Sequence, residues 1–355
     1  MRRRARGHGL VFIRLLWIVV CSAVLVVSGV AWSTVSEIET GVQRSHAIPA
    51  DAPRSANGVN ILIMGLTTRL DLDGRPLPDD LLERMRAGES DRGGYNANTL
   101  ILVHLPHDGT AAVAMSVPRD NLVPLHGVSE GPGEGKIKEA YGRAKEIEER
   151  RLRAAGVGDP RELEFGGREA GRRAQVQTVS AFLGAPIDHL VEVSLVGFFH
   201  IADALGGVDV CLNRAVRDRM SGADFPAGPQ HLDAAQALSF VRQRHGLANG
   251  DLDRTRRAQA FLAYLGQRIR SADVTAVRGL IDAAKQDVVL SDGLDLVALA
   301  EHLPPAVRFH TLSVEGGATV NGQDVNKVDQ GKVQAEVAGI ISPAAQPPAT
   351  VPCVD

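Results

Sequence analysis

The chain has 355 residues, of which 44% are hydrophobic and 23% charged, so it is long and apolar enough for one large domain or two ordinary ones and is not a disordered protein. Aromatic residues make up only 4% of the sequence, so aliphatic side chains must fill the core. The formal net charge of −3 excludes a general attraction to nucleic acid, and any binding of anions has to come from local clusters of positive charge.

An apolar run follows the arginine-rich start of the chain. Residues 15–32 contain no charged residue and would span roughly 27 Å as a helix, close to the thickness of a bilayer core. Arginines lie before this run and not directly behind it, which predicts a cytoplasmic segment at 1–14, a single transmembrane helix at 15–32 and an extracytoplasmic remainder. A cleaved signal peptide is the alternative, although the run is longer than the usual apolar core of such a peptide.

The main domain is predicted to follow a short stalk. Residues 33–58 are polar and contain prolines, which suits a stalk between the bilayer and a domain at 59–315. Within the domain, the apolar runs 99–105 and 111–117 have the pattern of strands, and the turn sequence between them contains Pro and Gly. These two runs therefore predict a β-hairpin.

The later segments differ in character. Residues 143–175 are dense in Arg, Glu and Ala, which predicts a charged, solvated helical excursion without a chemical role. Helix and strand signals then alternate, and Asp233 is placed to cap one helix and Asp251 or Asp253 a second. Residues 316–355 are predicted to be a C-terminal extension that ends in a mobile tail, rich in Pro and Ala.

Two of the three cysteines, Cys211 and Cys353, lie outside the predicted membrane span. A disulfide between them would persist in an extracytoplasmic compartment. The sequence does not give the distance between their Cα atoms, so a disulfide and a pair of separate thiols both stay open.

The densest group of positive charges consists of arginines on either side of a Gly-Asp sequence. Arg242 and Arg244 lie two residues apart, so both can face one site only where the helix has ended or the backbone is extended. Arg254 and Arg257 share a face at a predicted helix start, where free N–H groups add positive character. Because a guanidinium donates paired hydrogen bonds to phosphate oxygens, the group predicts a diphosphate site. A solvated helix face balanced by nearby aspartates is the alternative.

A second candidate lies where the strand 111–117 ends, since the ends of strands are where α/β proteins bind ligands. Pro118 stiffens the chain at this point and directs Arg119 towards the crevice, with Asp120 next to it. A turn with a surface Arg-Asp pair is the alternative.

The segments 116–120 and 237–245, which contain residues of these two candidates, belong to a set of seven motifs. The set resembles that of the LytR-CpsA-Psr family, and the motifs come in the family's order. The five others are the segments 60–65, 98–103, 136–141, 187–189 and 206–209. The resemblance implies a three-layer α/β/α domain with a central mixed sheet, preceded by one transmembrane helix. It further implies that the domain moves a glycopolymer from a polyprenyl-diphosphate carrier to a peptidoglycan acceptor and releases polyprenyl phosphate.

The resemblance also assigns roles to individual residues. The predicted catalytic residues are Arg119, Asp120, Arg242 and Arg244, where the arginines grip the diphosphate and Asp120 either accepts the proton of the acceptor hydroxyl or orients Arg119. Further residues predicted to bind the diphosphate are Lys136, Arg254, Arg257 and Gln259. The family buries the lipid tail beneath the sheet, and the residues predicted to line such a tunnel are Val191, Val193, Leu195 and Phe198. Ordinary core packing is the alternative for each of these four.

Two positions depart from the family pattern. The family implies a Mg²⁺ ion held by two aspartates, and Thr67 and Asn98 stand at those positions here. Because Mg²⁺ prefers charged oxygen ligands, these replacements predict a weakened protein-held site. Asp71 is the candidate substitute, and a metal can also arrive on the diphosphate itself.

Two functions stay open on this basis. The first is an active phosphotransferase of the cell envelope, and the second is a protein that binds lipid-linked glycan with transfer weakened or lost. A transcriptional regulator is disfavoured, because the segment 1–14 is too short for a helix-turn-helix and no nucleic acid partner is expected. The preference for Arg over Lys hints at a high-GC actinobacterium as the source.

Overall fold

The computed structural model describes residues 41–89, 94–243, 245–247, 250–301, 304, 306–341 and 353–355. The predicted cytoplasmic segment and the transmembrane helix at 15–32 lie outside these residues. Within the described ranges, no helix is both long and apolar enough to cross a bilayer.

The strands of the described chain supply one large sheet and several small ones. In chain order they are β1 (Gln43–Ser45), β2 (Gly58–Leu66), β3 (Ala97–Pro106), β4 (Ala112–Ser116), β5 (Leu122–Pro124), β6 (Glu134–Lys136), β7 (His189–Val193), β8 (Val208–Leu212), β9 (Val216–Asp218), β10 (Ala223–Phe225), β11 (Gly228–Leu232), β12 (Val288–Ser291), β13 (Val307–Thr311), β14 (Gly316–Val320) and β15 (Gln323–Lys327). The large sheet has seven strands in the order β1-β12-β7-β2-β3-β4-β13.

This central sheet is mixed. β2 pairs antiparallel with β3, and β3 with β4, where Ile101 lies opposite Ser116, so the predicted hairpin is confirmed. β2 runs parallel to β7, β1 to β12 and β4 to β13. Consequently β2, β4 and β7 all end at the same edge of the sheet, which is the edge where ligands bind in α/β proteins.

The helices cover both faces of the sheet. In chain order those of the described residues are α1 (Asp79–Arg84), α2 (Glu139–Ala154), α3 (Pro160–Leu183), α4 (Leu195–Ala204), α5 (Ala234–Arg242), α6 (Asp251–Ser271), α7 (Val274–Ala284), α8 (Leu296–Glu301) and α9 (Gln330–Ile341). α2, α3 and α9 share a hydrophobic core with one face, and α6 contacts β4 and β13 on the other. The mixed α/β fold with a central mixed sheet is therefore as predicted.

Of the two predicted helix caps, one is confirmed and one is wrong. Asp233 caps α5 as predicted and forms a reciprocal capping box with Gln236. The cap of α6 is instead Gly250, which adopts a positive φ of 55°, so Asp251 and Asp253 both lie inside the first turn. The side chain of Asp251 is thereby available for contacts outside its own helix.

The predicted solvated excursion at 143–175 is helical, but its charges are not all solvated. Arg168 and Arg172 of α3 are fully buried against the sheet. Arg172 donates to both carboxylate oxygens of Glu192 on β7, at 2.9 and 3.0 Å, and Arg168 pairs with Glu164 at 2.6 Å. The prediction was wrong because charge pairs take the place of apolar side chains on the buried face of this helix.

The folded part of the chain extends beyond both predicted boundaries of the domain, 59 and 315. β1 lies within the predicted stalk (33–58), yet it forms the edge of the central sheet. In the predicted extension (316–355), residues 316–341 fold as the β14–β15 hairpin and α9, and Cys353 forms a disulfide with Cys211 across a Cα separation of 4.5 Å. The chain at these places is therefore structured, and the question of the cysteines is settled in favour of a disulfide.

Candidate functional site

A polar cleft of about 690 Å³ opens at the edge where β2, β4 and β7 end. Its lining contains five cationic side chains: Arg69, Arg86, Lys138, Arg242 and Arg254. The other polar side chains of the lining include Thr67, Asn98, Asp218 and His245. The concentration of positive charge in this cleft suits a polyanionic ligand.

Arg119 lies immediately beside this cleft and is almost completely buried. It follows the end of β4, as predicted, and its side chain lines a small cavity shared with Asn98 and Arg254. One terminal nitrogen donates to Oδ1 of Asn98 at 2.7 Å, and Nε lies 2.9 Å from Oδ1 of Asp251. The guanidinium is therefore fixed in direction before any ligand arrives.

Asn98 connects both arginines to the end of β2. Its amide nitrogen donates to the hydroxyl of Thr67 at 2.7 Å, and its backbone carbonyl accepts a hydrogen bond from Arg254 at 2.7 Å. Since its side-chain oxygen already accepts from Arg119, every polar group of the Asn98 side chain has a protein partner. No local sequence pattern indicates this arrangement, because Thr67 and Asn98 lie 31 residues apart in the chain.

The donor set at these two positions does not fit a protein-held Mg²⁺ ion. The oxygen of Asn98 faces a guanidinium, and the hydroxyl of Thr67 accepts from an amide. Asp71, the candidate substitute, turns one oxygen to the backbone N–H groups of Asp73 and Arg75 at 2.9 and 2.8 Å and is not part of the cleft lining. Among the residues that the structure describes, no group of three or more His, Cys, Asp or Glu side chains is arranged to hold a metal.

Asp251 lies between two of the arginines. Its Oδ1 is 2.9 Å from Nε of Arg119 and 2.9 Å from Nε of Arg254. This position depends on Gly250, which caps the helix in place of Asp251. The carboxylate compensates the positive charges of Arg119 and Arg254 at their Nε atoms. The terminal N–H groups of the two guanidiniums face other partners.

Asp120 is held by positive charges from three sides. Lys138 lies 2.5 Å from Oδ1, Lys136 3.6 Å from the same oxygen, and Nε of Arg119 3.5 Å from Oδ2. Burial alone would raise the pKa of Asp120, but the hydrogen bond from Lys138 and the neighbouring cations lower it below the ordinary value. Such a carboxylate is a poor proton acceptor, so the geometry favours the orienting role over the role of a base. Of the two lysines, it is Lys138 that lines the cleft.

The predicted Arg242–Arg244 pair is seen in part. Arg242, at the end of α5, lines the cleft and donates to the carbonyl of Arg86 at 2.9 Å. This contact joins the end of α5 to the segment that follows α1. Arg244 lies outside the described residues.

Arg257 does not line the cleft. It is buried, and it donates to the backbone oxygen of Asp355 at 2.7 Å, to that of Phe240 at 3.1 Å and to Oε1 of Gln243 at 2.5 Å. Burial lowers the pKa of Arg257 to about 10. Because Gln243 stands between Arg242 and Arg244, Arg257 supports the motif from behind and is not placed to contact a ligand in the cleft.

Gln259 also points away from the cleft. Its amide nitrogen donates to the hydroxyls of Ser116 and Thr311 at 2.8 and 3.0 Å, which fastens α6 to the central sheet. The helix repeat explains the difference, since residues four apart share a face. The residue that lines the small cavity together with Arg254 is accordingly Ala258.

The four predicted tunnel residues lie on or next to β7. Val191 and Val193 point to the face of the sheet opposite Glu192 and are only half-buried, as is Phe198, whose ring packs against Phe261 at a centroid distance of 4.3 Å. Leu195 is buried and lines the polar cleft. Val191, Val193 and Phe198 are thus incompletely covered apolar side chains, and Leu195 is the one of the four that lines the cleft.

Several residues of the cleft were not predicted from the sequence. Arg69 and Arg86 come from the segment between β2 and β3, and Asp218 ends β9. Among these residues, His245 was the easiest to find from the sequence, because it directly follows the predicted arginine pair. The others reach the cleft through contacts over long sequence distances, which no local pattern records.

Comparison with known proteins gives a consistent assignment. The LytR_cpsA_psr family model matches residues 26–338. The cell wall biosynthesis protein LcpA of Corynebacterium glutamicum is 34% identical over 341 residues, which cover 91% of this chain and 65% of that protein, so the chain spans just under two thirds of its length. The polyisoprenyl-teichoic acid–peptidoglycan teichoic acid transferase TagU of Bacillus cereus is 26% identical over 288 residues, 77% of each chain. The crystal structure of Bacillus subtilis TagV has the same fold, with a TM-score of 0.57 and 23% identity over 81% of this chain and 98% of its own. The chain therefore belongs to the LytR_cpsA_psr family.

Proposed function

We propose that this protein is a cell-envelope phosphotransferase that moves a glycopolymer from a polyprenyl-diphosphate carrier to peptidoglycan and releases polyprenyl phosphate. The observation that carries the proposal is the cationic cleft at the strand ends, whose lining includes Leu195, two residues after the incompletely covered Val193 at the end of β7. A diphosphate with a lipid tail requires these two features side by side. The name of the relative TagU, a teichoic acid transferase, supports the same reaction class.

The residues of the cleft have distinct parts in this reaction. Arg242, Arg254 and Lys138 bind the diphosphate oxygens, and Arg244 joins them as the second arginine of the motif. Arg119, fixed by Asn98 and Asp251, stabilises the negative charge that grows on the leaving phosphate. Such preoriented donors require no rearrangement at the moment of reaction, which is the condition for effective electrostatic catalysis.

The lipid and the membrane complete the proposal. Val191, Val193 and Phe198 line the path of the prenyl chain, and Leu195 lies at its entrance. The predicted helix at 15–32 anchors the protein in the cell membrane with the domain outside the cytoplasm, where its lipid carrier and peptidoglycan meet. The protein works without a Mg²⁺ ion of its own, because the positions of the family's two aspartates form the hydrogen-bonded series Thr67–Asn98–Arg119.

The test uses the full-length chain in lipid nanodiscs, a synthetic prenyl-diphosphate-linked disaccharide and a soluble peptidoglycan fragment as acceptor. Transfer is expected, and Arg254→Ala is expected to weaken binding of the donor by about 10- to 100-fold, since a hydrogen bond to a charged group is worth about 1.5–3 kcal/mol. Arg256→Ala is the matched control, because Arg256 is on the same helix but exposed and paired with Asp253.

A binding protein without transfer is the second candidate, and the missing carboxylates favour it. It would be supported by tight binding of the donor without turnover at any Mg²⁺ concentration. Transfer by the wild type, reduced by Arg254→Ala but not by Arg256→Ala, would exclude it.

A further inference from the structure

A buried aspartate and a histidine face each other in the cleft, and the proposed binding of the diphosphate uses neither of them. Asp218 ends β9, and its side chain is only 2% exposed. The backbone N–H of Met220 and the hydroxyl of Ser221 both donate to the carboxylate at 2.9 Å. These bonds fix the carboxylate in one orientation.

His245 lies against this fixed carboxylate. Its Nδ1 is 3.3 Å from Oδ1 of Asp218, and its backbone N–H lies 3.4 Å from Oδ2. The backbone oxygen of His245 accepts from the side chain of Gln243 at 2.9 Å. The main chain of His245 is therefore attached on both sides, while 67% of its side chain is exposed. Both His245 and Asp218 line the same cleft as Arg242 and Arg254.

We propose that His245 is the general base that activates the acceptor hydroxyl, with Asp218 as the residue that orients its ring. The inference rests on the proposed function and adds a proton acceptor to it. With Nδ1 turned to Asp218, Nε2 is the ring nitrogen that takes the proton, which is the arrangement by which a carboxylate selects the tautomer of a catalytic histidine. Asp120 is unsuited to this role because three cations surround it.

The step balances without a further reactant. Nε2 of His245 removes the proton from the acceptor hydroxyl while the hydroxyl oxygen forms a bond to the phosphorus atom that carries the sugar. The bond from that phosphorus to the bridging oxygen breaks, and polyprenyl phosphate leaves with the electron pair. His245 then gives its proton to the leaving phosphate or to water. The neutral imidazole is the active form, so the transfer rate falls as the pH is lowered.

The charge around the histidine comes from several elements. Besides Asp218, the charged side chains that line the cleft are Arg69, Arg86, Lys138, Arg242 and Arg254. All five are cations, and Asp218 is the one carboxylate among the described residues that line the cleft. A bound diphosphate adds negative charge opposite the cations.

The experiment measures transfer and donor binding with the full-length chain in nanodiscs and the same prenyl-diphosphate-linked disaccharide. His245→Gln is expected to lower the transfer rate by about 100-fold or more, since general base catalysis contributes roughly 10²- to 10⁴-fold, with donor affinity kept within about twofold. The decline of the rate at low pH should disappear in this variant. Asp218→Asn should lower the rate less and shift the pH at which the rate declines.

A matched control is available outside the cleft. His231 also has an aspartate partner, with Nδ1 2.7 Å from Asp209, but it lies on β11 and outside the cleft lining. His231→Gln should leave the rate and its pH profile unchanged. Because His245 is exposed, replacing it does not threaten folding, so its variant stays informative even if Asp218→Asn unfolds.

Three results would overturn the proposal, and they are distinguishable. If His245→Gln transfers at the wild-type rate with the wild-type pH profile, His245 is not the base although the proposed function stands. If donor affinity falls in parallel with the rate and the pH profile persists, His245 is a phosphate ligand. If the wild-type chain transfers nothing, the proposed function fails together with the base.

Discussion

Arg119 donates a hydrogen bond to the side-chain oxygen of Asn98 across 2.7 Å, at a position where the family pattern implies a ligand of Mg²⁺. A guanidinium thus takes up the oxygen that a carboxylate would offer to a metal. This relationship makes the role of Mg²⁺ directly testable.

The first prediction concerns Mg²⁺. Binding of geranyl diphosphate to the wild-type chain should be the same within about twofold with Mg²⁺ and with EDTA, because no carboxylate stands at the two positions. Thr67→Asp combined with Asn98→Asp should create a Mg²⁺ site detectable by calorimetry in the absence of donor. Asp71→Asn is the control and should change neither measurement. A wild-type chain that binds the donor only with Mg²⁺ would contradict the prediction.

The second prediction concerns the lipid path. Val193→Trp fills the space beside β7, so the affinity for a long prenyl diphosphate should fall at least tenfold. Inorganic pyrophosphate reaches only the cationic cleft, and its affinity should not change. Isothermal calorimetry with both compounds measures the difference. Equal losses for the two compounds would mean that Val193 affects the cleft and not a lipid path.

The third prediction concerns the buried charges beneath the sheet. Burial would raise the pKa of Glu192, but the charge and hydrogen bonds of Arg172 and the charge of Arg168 lower it below its ordinary value of 4.5. A lowered pKa stabilises the fold above the ordinary value, and this stabilisation is lost as the pH falls through the value in the folded state. Glu192→Gln should therefore lower the free energy of unfolding at pH 7 by about 3–5 kcal/mol, since it removes a fully buried carboxylate that pairs with Arg172 and leaves only Glu169, of the described carboxylates, beside this buried guanidinium.

Urea denaturation at pH 7 and at pH 4 measures this effect. The destabilisation by Glu192→Gln should be smaller at the lower pH, where the wild type also begins to lose the interaction. Glu148→Gln, which removes a partner of the exposed Arg151, is the control and should cost less than about 1 kcal/mol. A loss at Glu192 that is no larger than at Glu148 would contradict the prediction.

The fourth prediction concerns the disulfide. Cys353→Ser removes the bond to Cys211 and releases the segment that gives Arg257 its contact with the Asp355 backbone oxygen. The free energy of unfolding should fall by about 2–4 kcal/mol. Wild-type protein under a reductant should match the variant, and the variant itself should not respond to the reductant. If the reductant destabilised both proteins equally, the effect would not come from this bond.

Much of the fold was predictable because its signals are local. The hairpin of β3 and β4 follows from two apolar runs and a turn sequence, and the capping box of Asp233 follows from a spacing of three residues. The error at 143–175 has a physical cause. The charges of Arg168 and Arg172 suggest solvent exposure in the sequence. Both side chains are buried because they pair with a glutamate on β7, about twenty residues further along the chain.

The site was predictable only for its most prominent members. Arg119, Arg242 and Arg254 follow from charge density and strand ends, and the structure brings them together around Asn98 and the cleft. Gln259 was predicted to bind the diphosphate, but it lies one helical position away from the face of Arg254, which Ala258 shares. The pairing of His245 with Asp218 spans 27 residues and two elements, and no sequence period connects them.

The edge of the central sheet has a consequence for how the protein folds. β1 pairs in parallel with β12, and Arg44 donates to the backbone oxygen of Ser291, 247 residues away. Contacts between such distant parts of a chain form slowly, because closing the long loop between them costs conformational entropy before the contacts contribute any stabilisation. The chain is synthesised from its N-terminus, so β1 has to wait for its partner until β12 has followed. During that time the backbone of β1 is unpaired, so the incompletely folded domain is expected to be more prone to aggregation and proteolysis than the finished one.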